Sequence, residues 1–107
     1  MDVEIAFQQL VQKMNQEPEG IKNLNAIYQF DLSEGKTYQF SFEKGHVDMF
    51  EGSDKAADCT LQLSDENVLK MIAGDFNTTM AYMTGKLKVK GELGQALKLQ
   101  SALEKYQ

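Results

Sequence analysis

Hydrophobic positions along this 107-residue chain fall into blocks that switch between two periods. Val3, Phe7, Leu10, Val11 and Met14 recur at helical spacing and predict a first helix with one apolar face. Asp2 is placed to cap it, Glu4 lies where the helix dipole favours a negative charge, and Glu17-Pro18-Glu19-Gly20 ends it. The period then drops to two. Ala26, Tyr28, Phe30 and Leu32 alternate with Ile27, Gln29 and Asp31, then Tyr38, Phe40 and Phe42 with Thr37, Gln39 and Ser41, then Val47 and Met49 with His46 and Asp48. The short turns Ser33-Glu34-Gly35-Lys36 and Glu43-Lys44-Gly45 join these runs into an antiparallel meander with one wet face. After the loop at Gly52-Ser53-Asp54-Lys55, a fourth strand from Asp58 to Leu63 turns Cys59, Leu61 and Leu63 inward.

Ser64 is an N-cap candidate, with Asp65 and Glu66 in the first turn that follows; Asn67 leaves the reciprocal capping box half present. Val68, Leu69, Met71 and Ile72 form the apolar side of that helix, and Gly74 stops it. Thr78 to Met83 reads as a short helical turn. Between Gly85 and Gly91, strict alternation places Leu87 and Val89 on one face and Lys86, Lys88 and Lys90 on the other, which predicts a half-buried fifth strand. A last helix runs from about Leu93 to Tyr106, with Leu93, Ala96, Leu97, Leu99, Ala102, Leu103 and Tyr106 in a broad stripe. The layout is α+β in one domain over residues 1–107: a five-stranded sheet with helices covering one face. Helices intervene between the fourth and fifth strands, so that pair is expected to be parallel.

Hydrophobic residues make up 42 % of the chain and proline occurs once, a globular composition. The net charge of −5 argues against nucleic acid as a partner. The charge is uneven, however. Residues 1–75 hold 14 acids against 6 lysines, whereas residues 76–107 hold 2 acids against 5 lysines. Lys86, Lys88 and Lys90 make this third weakly basic, which reads either as a solvated strand face or as a surface for transient contact with anionic lipid headgroups. No secretory leader, membrane-spanning run or Ser-Lys-Leu type C-terminal address is expected, and a cytoplasmic location is the default.

Little in the sequence suggests catalysis. His46 is the single histidine and lies on the polar side of its strand beside Asp48. Cys59, the single cysteine, excludes an internal disulfide and reads as a buried structural thiol. The set lacks metal-ligand spacing, Asp48, Glu51, Asp54 and Asp58 do not follow a calcium-loop pattern, and no glycine-rich phosphate loop leads from strand to helix. No cofactor, metal or catalytic residue is therefore expected. The conspicuous feature is the apolar crowd of Met71, Ile72, Phe76, Met80, Tyr82 and Met83, which either fills an ordinary core or lines an adaptable apolar site.

The run Met83-Thr84-Gly85-Lys86-Leu87-Lys88-Val89-Lys90-Gly91-Glu92-Leu93-Gly94-Gln95-Ala96-Leu97-Lys98-Leu99 resembles the C-terminal signature of the sterol-carrier, nonspecific lipid-transfer protein domain family. Asp75-Phe76-Asn77, the Ser64-Asp65 helix start and the meander ending at Phe50 extend the resemblance over roughly Val3 to Leu103. Thr78 departs from the proline common at its position. The resemblance implies an apolar tunnel between sheet and helices that holds a fatty acid, acyl-CoA or sterol-like lipid. Carried over by position, its wall is Val68, Met71, Ile72, Phe76, Met80 and Met83, its floor Leu87 and Val89, and its lid Leu99 and Leu103, with Gln100 as a polar contact. The rival reading is a solid-core accessory or interaction domain of a larger enzyme system, without a ligand of its own.

Overall fold

The structure is a computed structural model that describes residues 2–107. Helix α1 (Val3–Gln16) begins where the Asp2 side chain accepts a hydrogen bond from the Glu4 amide at 2.7 Å, and a single 3₁₀ turn at Pro18–Gly20 follows it. Strands β1 (Ala26–Leu32), β2 (Thr37–Glu43) and β3 (His46–Glu51) form the meander, and β4 (Cys59–Leu63) precedes α2 (Asp65–Ala73). Helix α3 (Thr78–Thr84), β5 (Lys88–Gly91), α4 (Leu93–Leu103) and a final 3₁₀ turn at Glu104–Tyr106 complete the chain. The caps are local and polar: Ser64 Oγ accepts from Asn67 N at 3.1 Å, and Asn77 Oδ1 from Met80 N at 2.9 Å.

The strand order is β3-β2-β1-β4-β5. β1 and β4 run parallel, and β4 and β5 run antiparallel, with Gln62 opposite Lys88 and Cys59 opposite Gly91. The expected parallel pairing of β4 with β5 is thus corrected. Two successive helices, rather than one, return the chain to the end where β4 finishes, so β5 runs back along it. β5 also starts later than its alternation suggests. The Leu87 amide donates to Ala81 O at 3.1 Å, which spends it on α3 instead of the sheet ladder. Gly91 sits at φ +97° where a Cβ would lie 2.6 Å from the Asp58 carbonyl, so only glycine lets the two strands close here.

The predicted wet face is partly roofed. β3 ends at the opposite end of the sheet from the start of β4, so residues 52–58 must run the length of the sheet, on the side away from the helices. Beneath them Gln39 is fully buried and saturated: its Nε2 donates to Gln29 Oε1 at 2.8 Å and to Lys55 O at 2.7 Å, and its Oε1 accepts from Lys55 N at 3.2 Å. A buried amide with both donors and its oxygen paired costs little, whereas an unpaired one costs about 1–3 kcal/mol. The other face carries the core. Tyr28, Phe30, Tyr38, Phe40, Phe42, Leu61 and Leu63 lie under the helices. At the exposed edge of β3, the Asn15 side chain takes both main-chain groups of Val47, each at 2.9 Å, and so blunts an edge that would otherwise pair with another chain.

Candidate functional site

The apolar interior converges where α1, α2 and α4 meet the middle of the sheet. Phe7, Leu10 and Met14 descend from α1, Val68, Met71 and Ile72 from α2, and Leu99 and Leu103 from α4, onto a floor of Phe30, Phe40 and Phe42. No polar side chain lines this space. The floor is aromatic because inward positions of β1 and β2 fall in register: Phe30 faces Tyr38, and Tyr28 faces Phe40. Phe7 stands edge-on to Phe40 at 4.8 Å and to Tyr38 at 5.4 Å, arrangements favoured by the ring quadrupoles.

The space is closed down. The void left among these side chains is about 10 Å³, at the lower edge of the ~10–15 Å³ that admits a single water. Close approach of apolar walls recovers dispersion contacts that a gap forfeits. An open tunnel, as the family resemblance implies, is therefore not present in this conformation; what is present is a closed apolar cluster.

The sequence-derived residues divide into two groups. Val68, Met71, Ile72, Leu99 and Leu103 all border the void. Phe76 and Met80 instead line a surface groove of about 210 Å³ with Asn67, Lys70, Asp75, Thr84 and Lys86. Met83 is 77 % exposed. Leu87 is buried and Val89 half-buried, but both lie at the β5 edge, two strands away from the Phe30 floor. Gln100 Oε1 accepts from the Thr78 amide at 3.1 Å and holds the start of α3. Residue-by-residue reasoning missed Phe7, Leu10, Met14, Phe30, Phe40 and Phe42. The helical stripe of α1 and the aromatic ladder of β1 and β2 were the signals that could have found them.

The titratable groups near the interior are neutral. Burial, and then the charges of Cys59 and Asp58, push the Tyr28 hydroxyl well above its ordinary value; it donates to Gln95 O at 2.9 Å. Burial raises Tyr38 to about 12, helped by its hydrogen bond to Glu4, and raises the Cys59 thiol to about 11. A thiol so placed is a poor nucleophile. His46 is exposed, with Nε2 3.1 Å from Asp48 Oδ1. Among the described residues no group of three or more His, Cys, Asp or Glu is arranged to hold a metal ion, and no helix is long and apolar enough to cross a membrane.

Comparison with known proteins bears on this arrangement. The family model described as the SCP-2 sterol transfer family matches residues 7–104. Sterol carrier protein 2 of Rattus norvegicus is 32 % identical over 103 residues, which cover 91 % of this chain but only 19 % of that protein, so the chain spans about a fifth of the length of such relatives. The solved apo form of sterol carrier protein 2 from Yarrowia lipolytica is 34 % identical, with a TM-score of 0.66 over 87 % of this chain and 77 % of that one. Sterol carrier protein 2 of Aedes aegypti, solved as a complex with the C16 fatty acid palmitate, shares the fold at 20 % identity, with a TM-score of 0.69 over 92 % of this chain and 94 % of that one. On the extent of the family match and the identity to these relatives, the chain belongs to the SCP-2 sterol transfer family.

Proposed function

We propose that this domain, acting as one unit over residues 1–107, takes up a single apolar lipid between α1, α2, α4 and the β1–β2 floor, and carries or presents it. The observation that carries the reading is a wholly apolar lining contributed by three helices and the sheet around one point. Its kinship with a sterol transfer family, and with a relative solved holding palmitate, supports it. A fatty acid or acyl-CoA chain suits the site better than a rigid sterol. Met14, Met71, Leu99 and Leu103 are flexible side chains that re-pack around a slender chain, whereas a ring system needs a wider opening. With one buried thiol, a reducing, cytoplasmic setting fits the molecule.

The magnitudes agree. Each buried CH₂ gives about 0.8 kcal/mol, so the methylenes of a palmitoyl chain release roughly 11 kcal/mol gross. Parting the closed lining and immobilising the ligand consume several kcal/mol of this. A micromolar complex, near −8 kcal/mol or weaker, needs no buried charge. Gentle purification followed by native mass spectrometry tests the reading: a co-purified acyl ligand is expected, and Met71→Trp, which fills the void, is expected to lower uptake of a fluorescent fatty acid at least tenfold while the circular dichroism spectrum is kept. The closed interior favours one alternative, an accessory domain with a solid core inside a longer enzyme. That alternative predicts bare protein in the spectrometer and uptake that is absent in both forms.

A further inference from the structure

One side chain where α3 meets α4 breaks the rule that buried polar groups are paired. Thr78 is 1 % exposed, yet its Oγ1 is enclosed without a hydrogen-bond partner. Its amide is satisfied, donating to Gln100 Oε1 at 3.1 Å across the α3–α4 contact. That bond also fixes which way the Gln100 amide points, since only its oxygen can accept an N–H. The Nε2 end, a donor only, is turned away from the Thr78 amide. Gln100 follows Leu99 and lies three residues before Leu103, and both leucines border the closed apolar cluster. A proline, common at the position of Thr78 in the family, would bring neither the hydroxyl nor the N–H, so both features belong to this chain. Lys70 and Lys86 line the surface groove of Phe76 and Met80, whose lining includes neither Thr78 nor Gln100.

We propose that Thr78 Oγ1, with Gln100 Nε2 from the facing helix, forms a polar subsite that hydrogen-bonds the uncharged carbonyl oxygen of an esterified acyl chain whose tail lies in the apolar interior. The subsite rests on the lipid-carrier reading and adds a direction to it: the carbonyl sits at the α3–α4 contact, and the tail runs toward α1 and the β1–β2 floor. The donor set selects the ligand. A hydroxyl and an amide N–H offer hydrogens without charge, which suits a neutral carbonyl, whereas a carboxylate without a cation is far costlier to bury. Packing does not call for the hydroxyl, because valine fills the same volume and buries no unpaired group. The empty protein holds an unmade hydrogen bond at Thr78. A carbonyl placed there makes that bond, and a bare hydrocarbon leaves it unmade.

Displacement of a fluorescent fatty acid by two competitors of matched chain length tests the subsite. Methyl palmitate carries the carbonyl and octadecane lacks it; each is delivered from cyclodextrin, and the ratio of their affinities is read. Thr78→Val, nearly isosteric but without the hydroxyl, is expected to lower the ester-to-alkane ratio roughly fivefold, the contribution of one neutral hydrogen bond. Thr78→Ser keeps the hydroxyl and is expected to hold the wild-type ratio. The carbonyl resonance of carbon-labelled methyl palmitate is expected to lie further downfield in the wild type than in Thr78→Val, as a hydrogen-bonded carbonyl does. A ratio unchanged in Thr78→Val, an equal fall in Thr78→Ser, or the same carbonyl shift in both proteins would overturn the subsite, while displacement by both competitors would leave the carrier reading standing. A wild-type chain that takes up neither the probe nor either competitor would overturn both.

Discussion

Two walls enclose the same interior and are built differently. On one side α1 is locked to the meander. Phe7 is clasped by Phe30, Tyr38 and Phe40, the Tyr38 hydroxyl donates to Glu4 at 3.0 Å, and Asn15 closes both main-chain groups of Val47. On the other side α2 buries only Val68 and Met71, and α3 only Thr78 and Ala81. Thr78 Oγ1 is buried there without a hydrogen-bond partner. The first wall is aromatic and saturated; the second is methionine-rich and holds an unpaid desolvation cost. On the proposed reading, an interior that parts to admit a lipid gives way where fewer contacts are lost. The difference therefore assigns the fixed surface to α1 with β1–β3 and the yielding one to α2 and α3.

The contrast is open to attack by mutation. The largest expected effect is Phe7→Ala, which removes the keystone of the fixed wall and is expected to cost about 3–5 kcal/mol in urea unfolding. Met71→Ala on the yielding wall is expected to cost nearer ~2 kcal/mol, because neighbours there collapse more readily, and to raise affinity for a bulky fluorescent acyl chain. Equal losses at the two positions would erase the distinction. A smaller effect of opposite sign is expected for Thr78→Val: it replaces an unpartnered buried hydroxyl by an isosteric methyl and is expected to add about 1 kcal/mol of stability by the same measurement.

The smallest effect is electrostatic and sits at the start of α2. Burial, then a hydrogen bond with Glu34 and the charges of Glu34 and Asp2, raise the Asp65 carboxyl above its ordinary value, with Lys36 opposing. A carboxyl raised on folding holds its proton more tightly in the native state. Its stabilisation is present at pH below the unfolded carboxylate value and is lost as pH rises through the raised one. The stability of the wild type relative to Asp65→Asn is thus expected to increase as pH is lowered from neutral toward the carboxylate range, in paired thermal melts; a difference independent of pH would remove this group from the account.

Much of this arrangement could be read in the residues. Period and caps located α1, α2, α4 and the meander, because burial on one face writes itself directly into spacing. Which apolar residues face a shared point is not written there, since a filled core and a closable pocket use the same pattern. Phe7 and Phe40 are indistinguishable from ordinary core positions until α1 is seen lying across β2. Met80 and Met83 belong to an apolar run that suggests a wall, but a seven-residue helix turns one narrow face inward, and Thr78 and Ala81 occupy it. Gln39 alternates as an outward position and is buried only because residues 52–58 cross above it. The parallel expectation for β4 and β5 failed because the hydrophobic period does not encode the direction in which two helices return a strand.

The central claim is that an acyl chain enters the point where α1, α2 and α4 meet the sheet, by displacing the α2–α3 side. Nuclear Overhauser effects between carbon-labelled palmitate and the methyl groups of the protein test it most directly. The account predicts cross-peaks from the palmitate methylenes to Met71, Leu99 and Leu103, with chemical-shift changes small at Val47 in the fixed wall and large along α2 and α4. Cross-peaks confined to surface residues such as Met83 and Leu97, or none at saturating palmitate, would contradict it.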